Sequence, residues 1–120
     1  EVELMGSLSD DEVAAVLQTS DVLAMPSTHE GFGIAYLEAM YAGLPAIGTP
    51  DGGAAEIICD GVNGLLIPPE QPAILARCLV SLASNFTLLE RLSLGAFERS
   101  RKHPTWSESM SRAADFLDAL

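Results

Sequence analysis

DVLAMPSTHEGFGIAYLEAMYAGLPAIGTP, residues 21–50, decides the fold. Its first six residues are a short apolar run stopped by proline, which reads as a strand buried on both faces. Gly33 to Ala42 follows as a helix with apolar Ile34, Leu37 and Tyr41, and Gly43 is placed as its C-terminal cap. LPAIGTP, residues 44–50, then supplies another short buried strand. Strand, glycine loop, helix and strand in direct succession make a βαβ unit, whose strands run parallel.

The same alternation extends in both directions. VELMG at 2–6 reads as a short strand, and SDDE at 9–12 starts a helix through a capping box, with Val13, Val16 and Leu17 on one face. After the second buried strand, DGGAAEII is a Gly-Gly loop leading to a short helix at about 54–58. CDGVNG at 59–64 is a turn and LLIPP at 65–69 a fourth strand. Pro72 to Ala83 forms a helix with Ile74, Leu75, Cys78, Leu79 and Leu82 inward, and two more helices are expected near 87–101 and 107–119. The fold class is therefore α/β: a Rossmann-like parallel sheet of about four strands with flanking helices. Repeats, low-complexity segments and dividing linkers are absent from the sequence, so residues 1–120 form one unit.

Ligands in open α/β sheets bind at the carboxyl ends of strands, and the loop EGFG at 30–33 directly follows one. Gly31 and Gly33 allow close backbone approach, and the N–H groups opening the next helix suit a phosphate. Glycine has a structural use too, since a tight strand-to-helix connection demands positive φ by itself. Glu30 precedes the helix and Glu38 lies about 8 Å further along its axis at 1.5 Å per residue. Either acid would repel a phosphate, but each can accept hydrogen bonds from hydroxyls on either side of a diphosphate. A nucleotide sugar has that layout. The plainer alternative makes Glu30 a turn cap and Glu38 a solvated helix residue.

Two other chemistries fit less well. GFGIAY offers two of the three glycines of a dinucleotide loop and puts Tyr36 where helix and strand should pack closely. Glycoside hydrolysis needs two carboxyls facing one bond with one of them desolvated, and nothing in the sequence supplies that asymmetry.

Composition narrows the classes further. With 48% apolar and 19% charged residues the chain is expected to be a folded, soluble domain, and no apolar stretch approaches the roughly 18 residues of a membrane span. The net charge of −11 disfavours nucleic acid and anionic membrane as partners. All six basic residues lie at or beyond Arg77, so the motif region offers its ligand no basic side chain. Cys59 and Cys78 have neither metal-ligand spacing nor the density of a disulfide framework, so no metal is expected and a reducing, cytoplasmic setting is. The opening residues EVELMGSLSDDE lack a basic start and a long apolar stretch, so no signal peptide is expected, and the missing initial Met suggests a cut or processed chain.

PSTHEGFGIAYLEAMYAGLPAIGTPDGGAAEIICDGVNGLLIPP resembles the signature region of the retaining glycosyltransferases of family 4, also called group 1. The resemblance rests on the E-x7-E pair Glu30/Glu38, the EGFG turn, the EAM-x-x-G-x-P run at 38–45, the Gly-Gly-x-x-E of 52–56 and the G-x-x-G-x-L of 61–66. It continues more loosely from VELMGSLSDDEV to TWSES at 105–109. What it implies is a GT-B enzyme of two Rossmann-like halves, of which this chain is the later part of the second, donor-binding half. The donor would be a nucleotide-diphosphate sugar, with no metal or other cofactor. By position, Glu30 would contact the transferred sugar as the catalytic residue, Gly31 and the amides of Phe32, Gly33 and Ile34 would face sugar and diphosphate, and Glu38 would hold ribose. Ser7 and Leu8 would lie near the base. Ser27, Gly52 and Gly53 would line the same end of the sheet, with a purely structural role equally open to them.

The resemblance also implies absences: the acceptor-binding N-terminal half, the first strands of this half, and the Arg and Lys that hold the diphosphate precede the chain. Alone it is expected to be inactive; a noncatalytic sugar-nucleotide-binding or assembly module is the alternative. Asp51, at a usually apolar position, and Tyr41, at an often small one, depart from the family pattern. In the family's strand order the two strands between VELMG and VLAMP would be missing, so either VELMG moves beside VLAMP or a second copy pairs through the exposed strand edge as a homodimer.

Overall fold

Three short strands carry the sheet. The structure, a computed structural model, describes residues Glu1–Leu120. Strands β1 (Leu23–Ala24), β2 (Ala46–Gly48) and β3 (Gly64–Leu66) are parallel and lie side by side in chain order. Leu23 stands opposite Ala46, and Ile47 opposite both Ala24 and Leu65. Helix α1 (Asp10–Gln18) precedes β1, α2 (Ile34–Tyr41) joins β1 to β2, and α3 (Gly53–Ile57) joins β2 to β3. Helices α4 (Pro72–Ser84), α5 (Phe86–Lys102) and α6 (Trp106–Asp118) complete the chain.

The expected strand at 2–6 is not formed. Residues 1–9 contain no helix or strand and Leu4 is 94% exposed. A strand needs a neighbour to take its backbone hydrogen bonds, and none lies beside this segment, so the sheet has three strands rather than four. VELMG has therefore not moved beside VLAMP. For the same reason β1 is an edge strand, with Leu23 half-buried and Ala24 exposed, instead of a strand buried on both faces. All three residues of β2, flanked by strands on both sides, are buried.

Alternation along β2 divides the core in two. Ala46 belongs to a cluster with Tyr36, Leu37 and Met40 of α2, Ala54 and Ile57 of α3, and Ala96 of α5. Ile47 points the other way, into a cluster with Ile67, Leu82 of α4 and Leu92 of α5. The inward residues expected of α4 pack there: Ile74, Leu75, Cys78 and Leu79 are partly buried around Leu82.

The buried face of α2 is rotated from the one expected. Tyr36, Leu37, Ala39 and Met40 are buried, whereas Ile34 and Tyr41 are 60% and 58% exposed. Helix α2 packs on α5 as well as on α3 and β2, so its covered stripe is wide and centred on Tyr36 and Met40. The Tyr36 hydroxyl donates to the Met25 carbonyl at 2.8 Å and so ties the helix to the end of β1.

Candidate functional site

The site is assembled from the loops that leave β1 and β2. The Met25 N–H extends the ladder to the Ile47 carbonyl at 2.9 Å, and the Ser27 N–H closes a tight turn on the Met25 carbonyl at 2.8 Å. The buried Thr49 hydroxyl donates to the Ser27 carbonyl, and the Gly53 N–H donates to the Glu30 carbonyl at 3.2 Å. Two loops from adjacent strand ends are thereby fastened together. The contact is too close for side chains: a Cβ on Gly52 would lie 1.8 Å from the Glu30 carbonyl oxygen, and one on Gly53 would lie 2.2 Å from that of Phe32. This is the packing role of Gly52-Gly53, and it seats the backbone of residues 30–32.

Gly33 ends the loop at φ 85° as the N-cap of α2, a conformation that costs glycine little. It bears no capping side chain, and no acidic residue occupies the first turn. Helices α1 and α6, in contrast, open with capping boxes from Ser9/Glu12 and Thr105/Glu108. The Tyr36 N–H is taken by the Gly33 carbonyl at 3.1 Å, while the amides just before it belong to the group a helix start leaves without intrahelical partners. Those amides, at the positive end of α2, can receive an anion.

The flanking acids are placed differently. Glu30 is half-buried beside Tyr36, whose phenol is pushed above its usual range first by burial and then by the Glu30 carboxylate. The phenol therefore stays protonated and remains a donor to Met25. Glu38 is exposed and lines a cleft of about 570 Å³ between α1 and α2, with Asp10, Val13, Leu17 and Tyr41 on its walls. Two carboxylates in one cleft accept hydrogen bonds and repel phosphate, which suits a ligand bearing hydroxyls. An uncapped helix start and a carboxylate-lined cleft thus share α2.

The remaining expected residues are less concentrated. Ser7 is exposed and Leu8 half-buried, both just before α1, and neither forms the wall of the Glu38 cleft. Ser27 acts through its carbonyl. Tyr36 and Thr49, which fasten the site, were not singled out as site residues from the sequence, because nothing in their spacing marks which carbonyl a hydroxyl will meet. His103 and Arg99 were missed too: the His103 ring lies 6.4 Å from that of Phe32 and Arg99 hydrogen-bonds His103, so the far end of α5 reaches the motif loop. No three His, Cys, Asp or Glu side chains converge as a metal site.

Known proteins share this fold. A glycosyltransferase of Methanocaldococcus jannaschii is 39% identical over 101 residues, 84% of this chain and 29% of that protein. The C-terminal domain of a group 1 family glycosyl transferase from Francisella tularensis aligns with a TM-score of 0.73 at 29% identity, over 79% of this chain and 49% of that one. The Anabaena protein HepE in complex with UDP aligns with a TM-score of 0.79 at 26% identity, over 88% of this chain and 29% of that one. The chain spans less than a third of the length of the Methanocaldococcus relative. Its Rossmann-like fold is that of the C-terminal domain of GT-B glycosyltransferases. The family model described as glycosyl transferases group 1 matches residues 1–99, and the chain belongs to that family.

Proposed function

We propose that the chain is the donor-binding part of a retaining, metal-independent glycosyltransferase of the cytoplasm that transfers a sugar from a nucleotide-diphosphate sugar. The observation that carries this reading is the uncapped start of α2 behind the 30–33 loop, with Glu30 on one side and Glu38 in a cleft on the other. The Anabaena neighbour bound to UDP supports the ligand class.

In this reading the amides of Phe32, Gly33 and Ile34 receive the diphosphate and the edge of the sugar. Glu38 accepts the ribose hydroxyls and the Ser7–Leu8 segment approaches the base. Glu30 meets the hydroxyls of the transferred sugar. A charge-assisted hydrogen bond contributes about 1.5–3 kcal/mol, and an orienting carboxylate raises turnover when its contact strengthens in the transition state. The acceptor is held by an N-terminal half that acts with this one, and the 120-residue chain by itself is inactive. The chain also pairs with a second copy through the free edge of β1.

The reading is tested by titrating UDP into the chain while following backbone amide resonances. Shifts confined to residues 30–38 and the Ser7–Leu8 segment are expected. Saturation without any movement of the Phe32, Gly33 or Ile34 amides would overturn it.

A further inference from the structure

Phe32 sits in the middle of the anion-receiving loop, yet the residue is 62% exposed and its ring has one aromatic partner, His103. The rings meet nearly edge to face, with centroids 6.4 Å apart and planes inclined by 74°. That separation and tilt are the arrangement aromatic pairs favour, positive edge toward negative face.

His103 is a firm support. It caps α5 in an extended conformation, φ −69° and ψ 130°, and its N–H donates to the carbonyl of the fully buried Ser100 at 3.2 Å. Pro104 follows, and the residue before a proline is confined to extended backbone. Arg99 Nη1 lies 3.3 Å from His103 Nδ1. A guanidinium only donates, so Nδ1 is the acceptor in this contact. Backbone and ring are both restrained before Phe32 is met.

The backbone of residues 30–32 is seated on Gly52 and Gly53, whereas the Phe32 side chain, on the solvent side, has the His103 ring as its aromatic contact. We propose that His103, oriented by Arg99, is a positioning residue for the donor loop, holding Phe32 so that the amides of Phe32 and Gly33 keep their direction toward the ligand. The proposal rests on the donor-binding reading of that loop. Through it, α5, which packs along α2, governs the loop that opens α2 as well.

Amide and imidazole resonances of the free chain test the positioning, and UDP titration tests its consequence. His103→Ala should shift the Phe32 and Gly33 amides in the free chain and weaken UDP binding about two- to tenfold, the range an edge-to-face pair supports. His103→Phe, which keeps an aromatic ring, should return both toward wild type. Phe32→Leu should shift the His103 ring protons by removing the ring current, a check that survives if His103→Ala does not fold. Unmoved Phe32 and Gly33 amides in His103→Ala, or unmoved His103 protons in Phe32→Leu, would overturn the positioning role whatever UDP does. A wild-type chain whose loop amides ignore millimolar UDP would instead fail the donor-binding reading, with the positioning role judged on the free-chain spectra.

Discussion

Glu38 and Glu30 are both carboxylates, but their surroundings differ, and the proposed function gives them different tasks. Glu38 is exposed in a cleft that also carries Asp10, and its expected partners are two vicinal hydroxyls. Glu38→Ala should weaken UDP binding about tenfold or more, since charged hydrogen bonds contribute about 1.5–3 kcal/mol. Equal affinities by calorimetry would remove the ribose assignment. Affinity itself should stay near the millimolar range, because the motif region carries no lysine or arginine and Arg99, which α5 brings toward the loop, is engaged with His103. Glu30 is half-buried at the loop entrance, so in an enzyme completed by its acceptor-binding half Glu30→Gln should lower turnover far more than nucleotide affinity. Near-normal turnover would return Glu30 to a turn cap. Both acids could be picked out as candidates in the sequence because their spacing around a glycine turn survives in one dimension. Tyr36 and Thr49 were not, since the carbonyls they meet lie 11 and 22 residues away along the chain.

Elements stand or fall here by their ends. Glu12 and Glu108 are both held below their ordinary value of 4.5, first by the backbone N–H and then by the hydroxyl of Ser9 and Thr105 respectively. A carboxyl with a lowered folded value stabilises the helix above the unfolded value, and that support is lost as pH falls through the folded one. Helicity by circular dichroism should therefore decline as pH drops below about 4.5. Replacing both acids by Gln, which can still close a capping box, should flatten that decline while preserving helix at neutral pH. An unchanged acid profile would show that the two boxes contribute nothing. A second test concerns the join between loops: Gly53→Ala drives a Cβ to 2.2 Å from the Phe32 carbonyl oxygen. It should lower the melting temperature and displace the 30–32 amides together, and an unperturbed loop would contradict the seating described above.

At the scale of the molecule, the sheet stops at β1. Leu23 and Met25 direct their N–H groups to β2, which leaves those of Ala24 turned to the open edge. Helix α6 has no buried residue and Trp106 is 81% exposed, so it offers apolar surface in addition to the free edge. Free strand edges and apolar patches recruit a second chain. Light scattering on dilute protein should report a dimer, and a clean 12.7 kDa monomer would exclude one.

The sequence by itself determined the βα order, the parallel sheet, the capping box of α1, and the loop that opens α2. Each of these depends on residues within a few positions of one another, where helix periodicity, caps and glycine turns act. Tertiary structure alone decided whether VELMG is a strand, which face of α2 is buried, and which side chain meets Phe32. A strand requires a partner for its hydrogen bonds, a buried stripe is defined by all the surfaces that cover it, and His103 reaches Phe32 only because α5 packs along α2.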